Sequence, residues 1–98
     1  MEGLLEVGQV VNSYGIKGYL KVVPLVDKKE QFESLKKVYI ENKKSFQTLR
    51  IQDVKYSKNL VLLKVEGIDT IEQALVLKNM YLLADRKDIP LEKELTLL

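Results

Sequence analysis

Apolar and polar residues alternate in short runs along most of this chain. Leu5, Val7 and Val11 alternate with Glu6 and Val10, which predicts a strand over about residues 4–12. Residues 19–26, YLKVVPLV, predict a second, in which Pro24 has no N–H for a ladder and belongs at an edge or a bulge. Residues 30–36 are long enough for one helical turn, packed through Phe32 and Leu35. KVYIE at 37–41 predicts a third strand, NKKS at 42–45 a turn, and Phe46 to Tyr56 a fourth strand with Leu49, Ile51 and Val54 facing inward. The change of parity between Ile51 and Val54 predicts a bulge. After a turn at residues 56–59, the run LVLLKVE at 60–66 is the most apolar strand of the set.

One segment departs from the period of two. Between Ile68 and Leu77 the apolar residues fall at 71, 74, 75 and 77, close to helical spacing. Asp69 or Thr70 is placed to cap this helix, and Thr70-x-x-Gln73 fits a capping box. Asn79 suits the left-handed residue at its end. MYLLA at 80–84 predicts a last strand, and Asp88-Ile89-Pro90 leads into a tail, LEKELTLL. Six short strands and one late helix point to an all-β barrel or sandwich. Closure into a barrel is favoured, because besides its lysines the chain has few devices for protecting an exposed sheet edge.

At 98 residues the chain is one domain's worth. It contains no cysteine, histidine or tryptophan, so disulfides, thiolate chemistry and the commonest neutral-pH base are excluded. No catalytic constellation and no metal-ligating set emerge. Asp85 and Asp88 lie three apart beside Arg86 and Lys87 and read as a solvated end. The expectation is a chain with no catalytic residues, no metal, no cofactor and no small-molecule substrate. MEGLLEVG has no basic region before its apolar residues, and no apolar run approaches the ~20 residues of a membrane-spanning helix. A cytoplasmic protein without a membrane partner is expected.

The net charge of +2 conceals an asymmetry. Residues 28–58 carry nine basic side chains against Glu30, Glu33, Glu41 and Asp53, while the stretches on either side are slightly acidic. Three doublets stand out: Lys28-Lys29, Lys36-Lys37 and Lys43-Lys44. On outer strand faces they would serve solubility. As a group they would also suit RNA phosphates, each acting as a point charge. With only Arg50 and Arg86, shape and backbone reading is favoured over bidentate base reading. Tyr39, Phe46 and Tyr56 have the residue type to stack on bases, but their strand positions favour the core.

Residues 8–22 read GQVVNSYGIKGYLKV. Gly15 and Gly18 mark a turn between paired strands. The third glycine, the following helix and the Lys-Ser/Thr pair of a phosphate-binding loop are absent. Tyr14, Ile16 and Tyr19 are more apolar than a hairpin tip needs, and with Lys17 and Lys21 beside them they suit a contact surface.

The pattern V-G-x-V-x-x-x-x-G-I-K-G-x-L-K-V from Val7 to Val22, with VEGIDTIEQALVLKNMYLLADR from Val65 to Arg86, resembles the N-terminal domain of the RimM family over roughly residues 4–91. The resemblance implies a six-stranded antiparallel β-barrel of the translation-factor, Greek-key type, with one short helix before the last strand. It also implies a non-catalytic ribosome maturation factor, which assists assembly of the small-subunit head and processing of its rRNA by binding the immature subunit. The implied contact loop is Ser13, Tyr14, Gly15, Ile16, Lys17 and Gly18. Lys28, Lys29, Lys36, Lys37, Lys43 and Lys44 are the candidate RNA phosphate contacts.

Family members usually carry histidine where this chain has Tyr14, so stacking or packing replaces any titrating role there. The helix usually ends in glycine, where Asn79 stands. Members continue into a second barrel of the PRC type, implicated in contacting a ribosomal protein of the subunit head. Residues 1–88 are therefore expected to form the N-terminal-type barrel and 89–98 a linker toward that second domain. The alternative is a protein–protein module docking a ribosomal protein or the second barrel without touching RNA; the apolar Leu95, Leu97 and Leu98 fit it.

Overall fold

The computed structural model describes residues 3–89. The tail from Pro90 onward, with Leu95, Leu97 and Leu98, lies outside the described residues. The strands are β1 (Leu4–Tyr14), β2 (Tyr19–Pro24), β3 (Lys37–Asn42), β4 (Ser45–Ser57), β5 (Leu60–Val65) and β6 (Tyr81–Asp85). They close in the order β1-β2-β5-β4-β3-β6, with every pairing antiparallel. The six predicted strands and the closure are thus present.

The parity along β1 differs from the simple alternation. Val7 and Val10 are fully buried, whereas Leu5 is 39% exposed and Val11 is only half-buried. Two register shifts explain it, one against β6 between Glu6 and Gly8 and one against β2 between Val10 and Asn12. Each inserts a residue and turns the following side chains to the other face. The bulge predicted in β4 is present between Ile51 and Asp53. It lets Leu49 and Ile51 on one side, and Val54 and Tyr56 on the other, all pack on the core. Pro24 is the last residue of β2, where a missing N–H interrupts nothing.

Two short helical segments close the barrel ends. Lys29–Ser34 forms a 3-10 helix, and Phe32 and Leu35 enter the core. Full burial of Phe32 contributes about 3 kcal/mol. At the end where β1 turns into β2 lies α1 (Ile71–Val76), inserting Ala74 and, just beyond it, Leu77. Thr70, one of the two residues expected to cap this helix, is its N-cap: its hydroxyl accepts from Gln73 N at 3.1 Å. The Gln73 side chain reaches back one residue further than a standard capping box, accepting from Asp69 N at 2.7 Å. Asn79 adopts φ 75° as expected, and its N–H donates to Val10 O at 2.6 Å, tying the helix exit to β1.

Candidate nucleic-acid interface

The β1–β2 ladder runs out to the pair Tyr14↔Tyr19, leaving residues 15–18 as the turn. Asn12-Ser13-Tyr14 therefore belongs to the strand; Ser13 pairs with Leu20 and its N–H donates to Asn12 Oδ1 at 2.8 Å. Gly15 and Gly18 both take positive φ, at 73° and 83°. Gly18 has a second reason to be glycine. It is buried, and a Cβ there would lie 2.8 Å from Thr70 N and 2.9 Å from the Asp69 carbonyl carbon. The hairpin tip thus rests on the segment that leads into α1, while Ile16 projects outward, 83% exposed.

On the outer face two rings stand side by side, each under a cation. Lys21 Nζ lies 5.9 Å from the Tyr14 ring centroid, and Lys55 Nζ lies 5.2 Å from that of Tyr19. At exposed sites such contacts are worth about 0.5–1 kcal/mol each. The Tyr19 hydroxyl donates to the Asp53 carboxylate. That hydrogen bond, then burial, then the carboxylate's charge raise the Tyr19 pKa above its ordinary value. A hollow of about 270 Å³ is lined by Tyr14, Gly15, Ile16, Lys17, Tyr19 and Lys55. Lys21 and Lys55 also flank Leu62, which faces away from the core yet is only 3% exposed. Their methylene stems are apolar enough to neighbour it.

The six candidate phosphate lysines are not one cluster. Lys43 and Lys44 form the β3–β4 turn, beyond the pair Asn42↔Ser45. Lys36 and Lys37 stand at the start of β3, opposite the middle of β4: Lys37 pairs with Arg50, and Lys36 O accepts from Ile51 N at 2.9 Å. Lys28 and Lys29 lie near the far end of β4, where Lys29 Nζ donates to Lys58 O at 2.7 Å and sits 5.6 Å from the Tyr56 ring centroid. The doublets are strung along β4, whose 13 residues span about 40 Å. Lys55 falls between the last two, while Arg50 and Lys58 stand beside the 36–37 and 28–29 doublets. Near the middle, Ser34, Lys36, Lys37, Arg50 and Asp88 line a second cleft of about 340 Å³.

Two of these cations occupy strained backbone. Lys43 and Lys58, at the turns on either side of β4, take φ 58° and 59°. Such a conformation costs a residue with a Cβ roughly 1–2 kcal/mol and is normally given to Gly or Asn. Among the aromatic residues, Tyr56 half-buries against the core, and its hydroxyl donates to Glu33 Oε2 at 2.6 Å. Burial, followed by that bond, raises its pKa. Tyr39 and Phe46 depart from the core expectation. They alternate with the inward Val38, Ile40 and Leu49 and so lie on the outer face, half-buried.

Lys55, Lys58 and the link from Tyr19 to Asp53 do not stand out in the sequence. Only the strand order brings them to the loop and the doublets. Among the described residues no group of acidic side chains is placed to hold a metal ion, and no helix is long and apolar enough to cross a membrane.

The geometry and the two motifs agree with comparison to known proteins. The family model for the RimM N-terminal domain matches residues 5–89. The chain belongs to the RimM family. The ribosome maturation factor RimM of Clostridium perfringens is 43% identical over 95 residues, 96% of this chain and 55% of that protein. The RimM of Clostridioides difficile is 41% identical over 83 residues, 85% of this chain and 48% of that one. The chain thus spans about half the length of the curated relatives it matches. The solution structure of the N-terminal domain of RimM from Thermus thermophilus superposes with a TM-score of 0.76 at 22% identity, covering 92% of this chain and 96% of that domain. The crystal structure of RimM from Pseudomonas aeruginosa gives 0.79 at 20% identity, covering 89% of this chain and 53% of that one. The RimM fold is thereby shared.

Proposed function

We propose that this chain is a non-catalytic RNA-binding domain of a ribosome maturation factor that works on the immature small subunit in the cytoplasm. It favours one arrangement of the rRNA by binding that arrangement more tightly, which shifts its population without any bond being made or broken. The observation that carries the reading is the line of cations along β4, with Lys43 and Lys58 held in backbone that lysine adopts only at a cost. A residue that served solubility alone would be as useful one position away. The line suits a run of phosphates, with affinity drawn from charge and position more than from base identity. The 13–18 loop lies beside the Lys55 section of that line and completes the contact.

Co-sedimentation of the chain with free small subunits from a strain lacking the full-length factor tests this at low and moderate salt. Binding that fades steeply as salt rises is the expected result. Binding indifferent to salt, or none at either salt, would overturn it. A second reading has its own observation: Ile71, Leu75 and Val76 of α1 are exposed, Val76 by 76%. Such an apolar helix face suits docking of a ribosomal protein or of a further domain. Salt-indifferent binding would favour that reading.

A further inference from the structure

The hollow at the β1–β2 tip has features that a phosphate-tracking surface does not require. Its walls are aromatic and aliphatic, not merely charged: Tyr14, Ile16 and Tyr19 line it together with Lys17 and Lys55. Its shape is fixed on three sides. Tyr14 and Tyr19 face each other on the last rung of the ladder, the Tyr19 phenol is held by Asp53, and Gly18 seats the tip against Thr70. Its volume of about 270 Å³ falls just below the ~300–1,000 Å³ of sites for drug-sized molecules, which suits a single nucleoside.

We propose that this hollow receives one unpaired nucleotide of the RNA, its base against the Tyr14 and Tyr19 rings and under Ile16, its phosphates on Lys17, Lys21 and Lys55. The inference rests on the RNA-binding reading above and goes beyond it, because a paired stem hides the base faces that these rings would meet. The ammonium groups now over the rings are weakly held at that distance. A base sliding onto a ring displaces its lysine toward the base's own phosphate. Stacking of this kind tolerates any base, so the site selects for an extruded nucleotide and not for a sequence. Asp53, the acidic neighbour, is occupied by the Tyr19 hydroxyl and lies 4.0 Å from Lys55 Nζ, so its charge does not stand alone against the phosphate.

The test compares a blunt RNA duplex with the same duplex carrying one bulged uridine, each titrated with the 98-residue chain by fluorescence anisotropy at several salt concentrations. The bulged duplex is expected to bind about tenfold tighter. Tyr14→Ala should abolish that preference without changing the salt slope, since it removes no charge, while Tyr14→Phe, which keeps the ring, retains it. Ile16→Ser, at a side chain outside the core, should reduce the preference severalfold and guards against a folding defect in Tyr14→Ala. Equal, salt-dependent binding of both duplexes by the native chain would overturn the nucleotide site and leave the phosphate-binding reading standing; the hollow would then suit an apolar side chain of a protein. Failure to bind either duplex at low salt would overturn both.

Discussion

The Tyr19 hydroxyl and the Asp53 carboxylate meet across β5, joining β2 to β4, two strands that are not neighbours in the ring. The bond ties the end of the aromatic hairpin to the strand along which the cations lie. Tyr19→Phe removes it while keeping the ring. With Asp53 partly open to water, the loss should be about 1–2 kcal/mol, a fall in Tm of roughly 4–8 °C per kcal/mol for a domain of this size. Thermal unfolding by circular dichroism checks this. A double-mutant cycle with Asp53→Ala should return a coupling of about 1 kcal/mol, and additivity would refute the link.

Tyr19 and Tyr56 both have raised pKa values in the folded state, the first chiefly through its bond to Asp53 and the second chiefly through burial. Below the ordinary tyrosine value near 10, folded and unfolded chains both keep these protons and the stabilisation is complete. Above it the unfolded chain releases them first, so the folded state binds more protons and stability falls as pH rises. The melting temperature should hold from neutral pH to about pH 10 and then drop. In Tyr56→Phe the alkaline drop should be shallower.

Gly15 and Gly18 share a backbone conformation but not an environment. Gly15→Ala should cost about 1 kcal/mol, the conformational penalty alone, since nothing lies within 4 Å of the added methyl. Gly18→Ala adds a clash with backbone atoms of Asp69 and Thr70 that no side chain can relieve and should cost at least about 2–3 kcal/mol. Urea denaturation of the two variants decides it; equal losses would mean the tip does not rest on the helix entrance.

At the two turns of β4, stability and charge should trade against each other. Lys43→Gly and Lys58→Gly relieve left-handed strain and should each raise stability by roughly 0.5–1 kcal/mol. Both should also weaken RNA binding severalfold at physiological salt. A variant that gains stability and keeps full affinity would remove that lysine from the interface.

The separation of the doublets along β4 makes their contributions countable. Replacing both lysines of the 36–37 or the 43–44 doublet by alanine should lower the slope of log affinity against log salt by about two, one for each phosphate no longer neutralised. Combining the doublets should lower it additively, because the sites lie too far apart to share a partner. An unchanged slope for either doublet would exclude it from the interface.

Most of the strands are legible because inward residues repeat every second position, and even the β4 bulge is visible as a break in parity between Ile51 and Val54. The end of β1 is harder to read. Asn12, Ser13 and Tyr14 look like loop chemistry, and the bulge near Val11 shifts the alternation that would have carried the strand through them. The start of α1 is legible to within a residue, because Asp69 and Thr70 both carry capping side chains and the Thr70 hydroxyl is the one on Gln73 N. The lysine doublets and the loop glycines are visible as residues but not as an arrangement. Sequence order groups the lysines; the register of β3 on β4 and the position of the 3-10 helix spread them. Lys55 and Asp53 join the loop only because β5 enters between β2 and β4, a relationship across 34 residues that no local pattern announces.

The ring is closed unevenly. β3 is laced to β4 by a full ladder from Lys37↔Arg50 to Asn42↔Ser45, but to β6 through the one aligned pair Tyr39↔Leu83. That seam is held by side chains more than by the ladder: Val38, Ile40, Leu82 and Ala84 are all buried behind it. The β3–β4 hairpin, with Lys43 and Lys44 at its outer tip, is thus joined to β5 by a ladder and to β6 mainly by apolar packing.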